Sequence, residues 1–325
     1  MSASGAKDPF AAAEGNTLVR TPGRGEALRD RLFRGLALAA TLGLVALMGM
    51  ILLEIGSNAF PAMQRLGAGF LVGTTWDANS GSFGILPMIW GTLYSSLLAL
   101  LLGGSVGVGI ALFLTQGFLP PALETLLRNI VELLAAIPSV SYGLWGIYVI
   151  IPALRPLAET LHEQLAWVPL FNTALSGPGM LPAALVLSIM ILPTVAAISQ
   201  DALRAVPQRM IEAVYGMGAT RWEAILNVIL PAAGKSIFGA LVLGLGRALG
   251  ETMALAMLVG NANEISLSLF SPANTLAALL ALNFPEAGEA ELEALMYAAV
   301  VLLMITLLVN FAGAAIIARS RQQVA

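Results

Sequence analysis

The chain has 325 residues, of which 58% are hydrophobic and 11% charged, and its mean hydropathy is +0.85. Soluble domains average roughly 45–50% apolar and 25% charged residues, so the sequence predicts an all-α polytopic membrane protein. Cysteine is absent, which excludes disulfides, thiol nucleophiles and cysteine-ligated metals. The net charge of -3, with basic residues spread along the chain, excludes a nucleic-acid-binding domain.

The chain begins with a polar segment and continues as one predicted transmembrane domain. Residues 1–28 are rich in small and polar side chains, so we expect a disordered tail. Residues 29–325 contain six apolar runs that are about long enough to cross a bilayer. These predicted spans are 35–54, 85–114, 130–151, 181–198, 237–259 and 294–317.

The distribution of basic residues predicts the orientation of the spans. Lysine and arginine concentrate in cytoplasmic segments of membrane proteins. If the N-terminus is inside, thirteen of the sixteen basic residues fall in inner segments, and only Arg65 and Arg155 fall in outer loops. We therefore expect both termini, and the polar segment 201–235, to be cytoplasmic. The expected location is the bacterial inner membrane.

The segment 201–235 carries a helix–turn–helix pattern. Residues 208–217 are predicted to form a short helix that follows Pro207, and Gly218 suits the left-handed conformation that ends such a helix. Thr220 and Glu223 have the spacing of a capping box, so a second helix should start immediately after the turn.

The same segment resembles the EAA loop of permease subunits in binding-protein-dependent ABC importers. The matching residues are Glu212 and Ala213, Gly218 six residues after the glutamate, and the pair Leu230–Pro231. Val214 and Val228 depart conservatively from the usual alanine and isoleucine. The resemblance implies a cytoplasmic coupling helix that docks in a groove of an ATPase subunit. An ordinary helix–turn–helix on the inner face is the alternative.

Two further patterns suggest an enzyme but are incomplete. The sequence AAGKS, ending at Ser236, has Ile229 where a phosphate-binding loop requires its first glycine. Gly103–Gly107 reads G-x-S-x-G, but a nucleophile elbow needs a strand-to-helix turn and a histidine base. The chain has one histidine, in a predicted outer loop, so an intramembrane serine hydrolase is disfavoured.

The fifth predicted span contains Arg247 near its midpoint and Glu251 four residues later, on the same face if the helix is continuous. A charge at the centre of a bilayer costs roughly 2.5–3.5 kcal/mol on insertion scales, and such residues usually mark a transport pathway. We therefore predict a substrate pathway at Arg247, Glu251 and Thr252. A structural ion pair that joins two helices is the alternative.

The third predicted span contains Glu132 and the sequence Pro138–Ser139. Proline removes a backbone hydrogen bond that lipid cannot replace, so this part of the span should face protein or a cavity. We predict a secondary pathway position there. Glu132 lies near the inner end of the span, where an interfacial location is equally consistent with the pattern.

Together, the segments ELLAAIPSVSYG, the EAA loop and GLGRALGETMA resemble the PstC-type permease family of the bacterial phosphate-specific ABC importer. The resemblance covers residues 29–319. It implies a MetI-like permease core with an additional N-terminal helix, no enzymatic activity and no cofactor bound by this chain, because ATP and Mg²⁺ would belong to the ATPase. The implied partners are a PstA-type companion permease, two PstB-type ATPases and a PstS-type phosphate-binding protein. A permease for sulfate or molybdate, and a regulatory scaffold for phosphate sensing, are the alternatives.

Overall fold

A computed structural model describes residues 24–322, which are mostly helical. A short antiparallel hairpin pairs β1 (Trp76–Asp77) with β2 (Ser82–Phe83). The described residues divide into two compact units, with the boundary between Glu54 and Ile55. The helices in the described range are α1 Arg24–Leu66, α2 Gly69–Val72, α3 Leu86–Ala99, α4 Ser105–Thr115, α5 Pro121–Ala136, α6 Ser139–Trp145, α7 Ile151–Leu165, α8 Met180–Arg204, α9 Gln208–Gly216, α10 Arg221–Ala224, α11 Leu230–Leu249, α12 Met253–Leu258, α13 Leu276–Asn283 and α14 Glu289–Gln322.

Three π-helical segments join consecutive helices into longer runs. Leu100–Gly104 joins α3 to α4, Gly146–Ile150 joins α6 to α7, and Ile225–Ile229 joins α10 to α11. Within the described residues, six helices or helical runs are long and apolar enough to span a membrane, which confirms the predicted number. Their bounds are Leu28–Leu66, Leu86–Thr115, Ser139–Leu165, Met180–Arg204, Arg221–Leu249 and Glu289–Ala318.

Helix α8 lies at the centre of the unit formed by residues 55–325. It packs against α3, α4, α5 and α11, and most of its apolar window is buried. Small residues allow this close approach: a Cβ atom at Gly103 would collide with the Ser188 backbone, and one at Gly107 would lie 3.1 Å from the Cβ of Val195. The two glycines, four residues apart, therefore form a small-residue packing surface for α8.

A glycine replacement on this surface should destabilise the protein. We expect Gly103→Ala to lower the thermal unfolding midpoint of the purified protein by several degrees, because a clash with backbone costs about 1–3 kcal/mol. Gly109→Ala is the matched control, since a Cβ there meets nothing within 4 Å. Equal midpoints for the two variants, measured in the same detergent, would contradict this packing.

The third predicted span, 130–151, is not one continuous helix. Helix α5 ends at Ala136, Ile137 is extended (φ -72°, ψ 128°), and α6 begins at Ser139. The cause is Pro138, because the proline ring disfavours the helical conformation of the residue before it. The spanning run therefore starts at the break and continues to Leu165.

The fifth predicted span, 237–259, is also interrupted. Helix α11 ends at Leu249, and α12 starts only at Met253. The intervening side chains replace helical hydrogen bonds: Thr252 Oγ1 donates to the Gly250 carbonyl (3.1 Å), and Glu251 Oε1 accepts from the Ala254 amide (3.5 Å). Such local side-chain bonds compete with the helix, and hydropathy does not detect them.

The predicted tail ended at residue 28, but the first helix begins before that residue. Residues 1–23 lie outside the described residues, and α1 already begins at Arg24. The same helix continues to Leu66, through residues that hydropathy assigned to an outer loop.

Candidate functional site

Arg247 lies in the last turn of α11, on an exposed side of that helix. Gly244, about one helical turn earlier, lies against Val195 in the central part of α8. The Arg247 side chain is exposed, whereas the adjacent Ala248 is buried. A guanidinium at this depth cannot face lipid without a large cost. This face of α11 therefore suits contact with another protein chain or with a water-filled path.

Glu251 and Thr252 lie in the break between α11 and α12, and both are half-buried. The ion pairs among the described residues do not include one between Arg247 and Glu251. The expectation that the two share one helical face is wrong, because the helix ends between them. Arg247 is thus not neutralised by Glu251 in this conformation.

The second helix break adjoins this region. Helix α6, which starts after Pro138, packs against α12, and a Cβ at Gly143 would collide with the side chain of Met257. Tyr142 spans the break, since its hydroxyl donates to the Leu134 carbonyl at 2.8 Å. Tyr142 also lies in one buried cluster with Ala248, the residue next to Arg247. The fold therefore brings Arg247 near the Pro138 break, which the sequence alone did not indicate.

Tyr142 was not among the predicted site residues. Its sequence signal is its position four residues after a proline within a span, where a hydroxyl can bind a carbonyl that the break has released. Two adjacent helix breaks at membrane depth expose backbone groups to a ligand, as in transporters whose binding sites lie between half-helices. The arrangement can bind a polar or anionic solute but carries no nucleophile–base pair.

Glu132, which was predicted as a secondary pathway position with Pro138 and Ser139, is exposed and lines a cavity between α5 and α8. Pro138 is exposed, and Ser139 is half-buried at the start of α6. The three residues therefore occupy two neighbouring places, the wall of the cavity and the helix break.

The predicted coupling segment folds as the local sequence indicates. Gly218 has φ +83°, in the left-handed region. Thr220 caps α10, because its amide donates to Glu223 Oε2 (2.7 Å) and its hydroxyl accepts from the Glu223 amide (3.4 Å). These two predictions are confirmed. Glu212 and Ala213 lie exposed on α9, which has no buried residue and so presents a free surface.

The end of the segment enters the bundle. Leu230 packs against the buried cluster that contains Ile225, Ile229 and Ala233, while Pro231 is exposed in the first turn of α11. Pro231 is compatible with the helix there, since it follows the π-helical segment rather than interrupting regular helix.

An aromatic contact joins the coupling segment to the loop between α4 and α5. The Phe118 ring lies 5.5 Å from the Trp222 ring and 4.9 Å from the Arg221 guanidinium carbon. Arg221 Nη1 also donates to the Gly117 carbonyl at 3.4 Å. The sequence did not predict this contact, because its partners are about a hundred residues apart.

The hydrolase pattern lacks the required geometry. Ser105 begins α4 within a continuous helical run, and its hydroxyl donates to the Leu101 carbonyl at 2.6 Å. His162 lies on α7, with Nδ1 2.8 Å from the Phe171 carbonyl oxygen. Residues 24–322 contain no cluster of three or more histidine, aspartate or glutamate side chains suited to a metal.

Comparisons with known proteins agree on the class of this chain. Residues 106–323 match the family described as "Binding-protein-dependent transport system inner membrane component". The chain is 37% identical to the phosphate transport system permease protein PstC of Mesorhizobium japonicum, over 87% of this chain and 88% of that protein. It is 38% identical to PstC of Xylella fastidiosa, over 88% of this chain and 90% of that protein.

Solved structures support the fold. A bacterial alginate ABC transporter matches with a TM-score of 0.60 at 17% identity, over 89% of this chain and 96% of that chain. The methionine ABC transporter MetNI matches with a TM-score of 0.54 at 21% identity, over 72% of this chain and 95% of that chain.

Proposed function

Since this chain belongs to the binding-protein-dependent transport system inner membrane components, and within them to the PstC-type phosphate permeases, we propose that inorganic phosphate crosses the membrane along its α11–α12 break. The chain is a multi-pass inner-membrane protein and a transporter subunit, not an enzyme. Hydrolysis of ATP belongs to a partner ATPase.

The observation that carries the proposed pathway is the position of Arg247. Its guanidinium is exposed near mid-depth and is not paired with Glu251, and the adjacent Ala248 lies in the same buried cluster as Tyr142 of the second helix break. Arginine stays charged at any physiological pH and presents planar donors that match a tetrahedral oxyanion. A companion permease facing this side of α11 would close the path and shield the charge from lipid.

Glu251 and Thr252 supply the complementary groups. Phosphate near neutral pH keeps at least one proton, whereas sulfate has none. Glu251 holds the Ala254 amide by a long contact of 3.5 Å through one oxygen, so its carboxylate still has capacity to accept the phosphate proton. The same carboxylate would repel a fully deprotonated anion, which favours phosphate over sulfate.

The coupling segment provides the surface for an ATPase. Glu212 and Ala213 are exposed on α9, and Gly218, Leu230 and Pro231 fix the direction in which the chain re-enters the bundle. We assign two PstB-type ATPases, a PstA-type companion permease and a PstS-type binding protein as partners. ATP and Mg²⁺ would be bound by the ATPases, and this chain would hold no cofactor.

Phosphate uptake by the reconstituted complex tests the proposal. Proteoliposomes containing all partners should accumulate labelled phosphate when ATP is supplied, and vesicles lacking the companion permease should not. Excess sulfate should leave the uptake rate nearly unchanged. Uptake of sulfate in place of phosphate would assign the path to another oxyanion.

The orientation has a separate test, because the chain contains no native cysteine. A cysteine introduced at exposed Ala122, next to the loop that contacts Arg221, should resist an impermeant thiol reagent in right-side-out vesicles. A cysteine at exposed Gly288 should react readily. Permeabilised vesicles are the control, and there both positions should react. The opposite pattern in sealed vesicles would reverse the orientation and remove the coupling assignment.

A further inference from the structure

A cavity of about 470 Å³, lined by both polar and apolar side chains, lies between α5 and α8. A water molecule takes up about 30 Å³ in the liquid, so the space is large enough for a small hydrated oxyanion. Its polar lining consists of Arg128, Glu132, Thr194, Gln200, Asp201 and Arg204.

The two arginines of the cavity share one carboxylate. Glu124 Oε1 binds Arg128 Nη2 and lies 3.7 Å from Arg204 Nη2. The Nε atom of Arg128 is buried and has no hydrogen-bond partner. A buried donor without an acceptor is unfavourable. The Arg128 side chain as a whole is partly exposed and lines the cavity, so a rotation of its guanidinium would present this donor to an oxygen of a bound anion.

The cavity connects the depth of Arg247 with the end of the bundle that bears the coupling segment. At one end it is lined by Pro193 and Thr194, adjacent in sequence to Val195, which Gly244 of α11 contacts. At the other end lies Arg204, the last residue of α8 before the coupling segment. The cavity therefore extends along α8 from about the level of Arg247 to the coupling side.

The spacing R-x-x-x-E occurs here as it does at Arg247 and Glu251. Arg128 and Glu132 are four residues apart on the continuous helix α5, and both line the cavity. Arg128 pairs with Glu124 instead of Glu132. The cavity thus combines a cationic donor with a carboxylate acceptor, the combination that suits an oxyanion that retains a proton.

We infer that this cavity is a second phosphate station, which receives the anion after Arg247 and releases it on the coupling side; this inference rests on the proposed function. Three carboxylates, Glu124, Glu132 and Asp201, face the two guanidiniums, so the surroundings carry one net negative charge. Hydrogen-bond donors of the cavity would therefore bind the anion, while the net negative charge around the cavity would favour its release. Passage requires sites that bind weakly enough to release.

Thiol protection measures occupancy of the cavity without requiring transport. Ala197 lines the cavity and is exposed, so Ala197→Cys in the purified complex in nanodiscs should react with a small thiol reagent. Inorganic phosphate should slow this reaction several-fold, and sulfate at matched ionic strength should slow it less. Adding Arg128→Gln should remove the protection. Ala122→Cys, exposed on α5 but outside the cavity, is the matched control, and its rate should not change with phosphate.

If the complex with Arg128→Gln does not assemble, Arg204→Gln provides the same test. This variant leaves the ion pair between Arg128 and Glu124 intact. Loss of protection in either variant supports the station. Equal protection with and without the arginines, or no protection in a wild-type background that takes up phosphate, would overturn it. Absence of uptake in the wild-type complex would instead count against the proposed function, so the two failures are distinguishable.

Discussion

Phosphate uptake should fall by at least about 100-fold when Arg247 is replaced by glutamine, while the complex still assembles. Glutamine retains hydrogen-bonding capacity but not the charge, and hydrogen bonds from a charged donor are roughly twice as strong as neutral ones. Because Arg247 is exposed and makes no ion pair with Glu251, its replacement should not destabilise this chain. Uptake and co-purification of the partners, measured on the same preparation, separate the two effects.

Two further variants serve as a control and as a test of anion specificity. Arg155→Gln removes an exposed arginine from α7 and should leave uptake unchanged. Glu251→Gln should keep partial uptake but lose discrimination against sulfate, measured in a variant that works without the binding protein. Normal transport by Arg247→Gln in that assay would make Arg247 a structural residue and remove the pathway assignment.

Replacement of Gly218 by valine should reduce both ATPase association and phosphate uptake several-fold. A Cβ at Gly218 meets nothing within 4 Å, so the effect comes from the backbone, which has φ +83°. A left-handed conformation costs an ordinary residue about 1–2 kcal/mol, and a β-branched residue more. The turn would relax, and α9 would then be misdirected relative to the ATPase.

A matched control and a rescue separate conformation from bulk. Gly234→Val adds the same side chain on α11, where a Cβ also meets nothing within 4 Å and φ is not positive. It should bind the ATPase normally. Gly218→Asn should recover most of the association, because asparagine tolerates the left-handed region. If Gly218→Val binds as tightly as Gly234→Val in a pull-down, the turn does not position the docking helix.

Local features of this chain were predictable from the sequence, and tertiary features were not. The Gly218 turn and the Thr220–Glu223 capping box depend only on neighbouring residues, so spacing was sufficient. The six spans follow from hydropathy, but hydropathy cannot detect where a long apolar run stops being helical. The break at Ile137 arises from the ring of Pro138, and the break at Gly250 is accompanied by local side-chain hydrogen bonds.

Contacts between distant segments could not be predicted from the sequence. Arg204 approaches Glu124 across two helices, and Phe118 contacts Trp222 across about a hundred residues. No periodicity links such positions. Tyr142 belongs to the candidate site through the packing of α6 against α12, which the sequence does not indicate. Conversely, the shared face expected for Arg247 and Glu251 assumed a continuous helix, whereas α11 ends at Leu249.

The helical run Arg221–Leu249 has a mechanical consequence. Its first turn carries the capping box of the coupling segment, and its last turn carries Arg247, about 39 Å away at 1.5 Å per residue. In a helix of that length, a small rotation at one end produces a large displacement at the other end. A tilt of about 5° at the coupling end would swing Arg247 by about 3 Å, the length of one hydrogen bond. The π-helical segment Ile225–Ile229 lies near the coupling end. The rest of the run, Leu230–Leu249, is regular α-helix. If an ATPase docks on the coupling segment as proposed, a small rotation there would move Arg247 by about the length of one hydrogen bond.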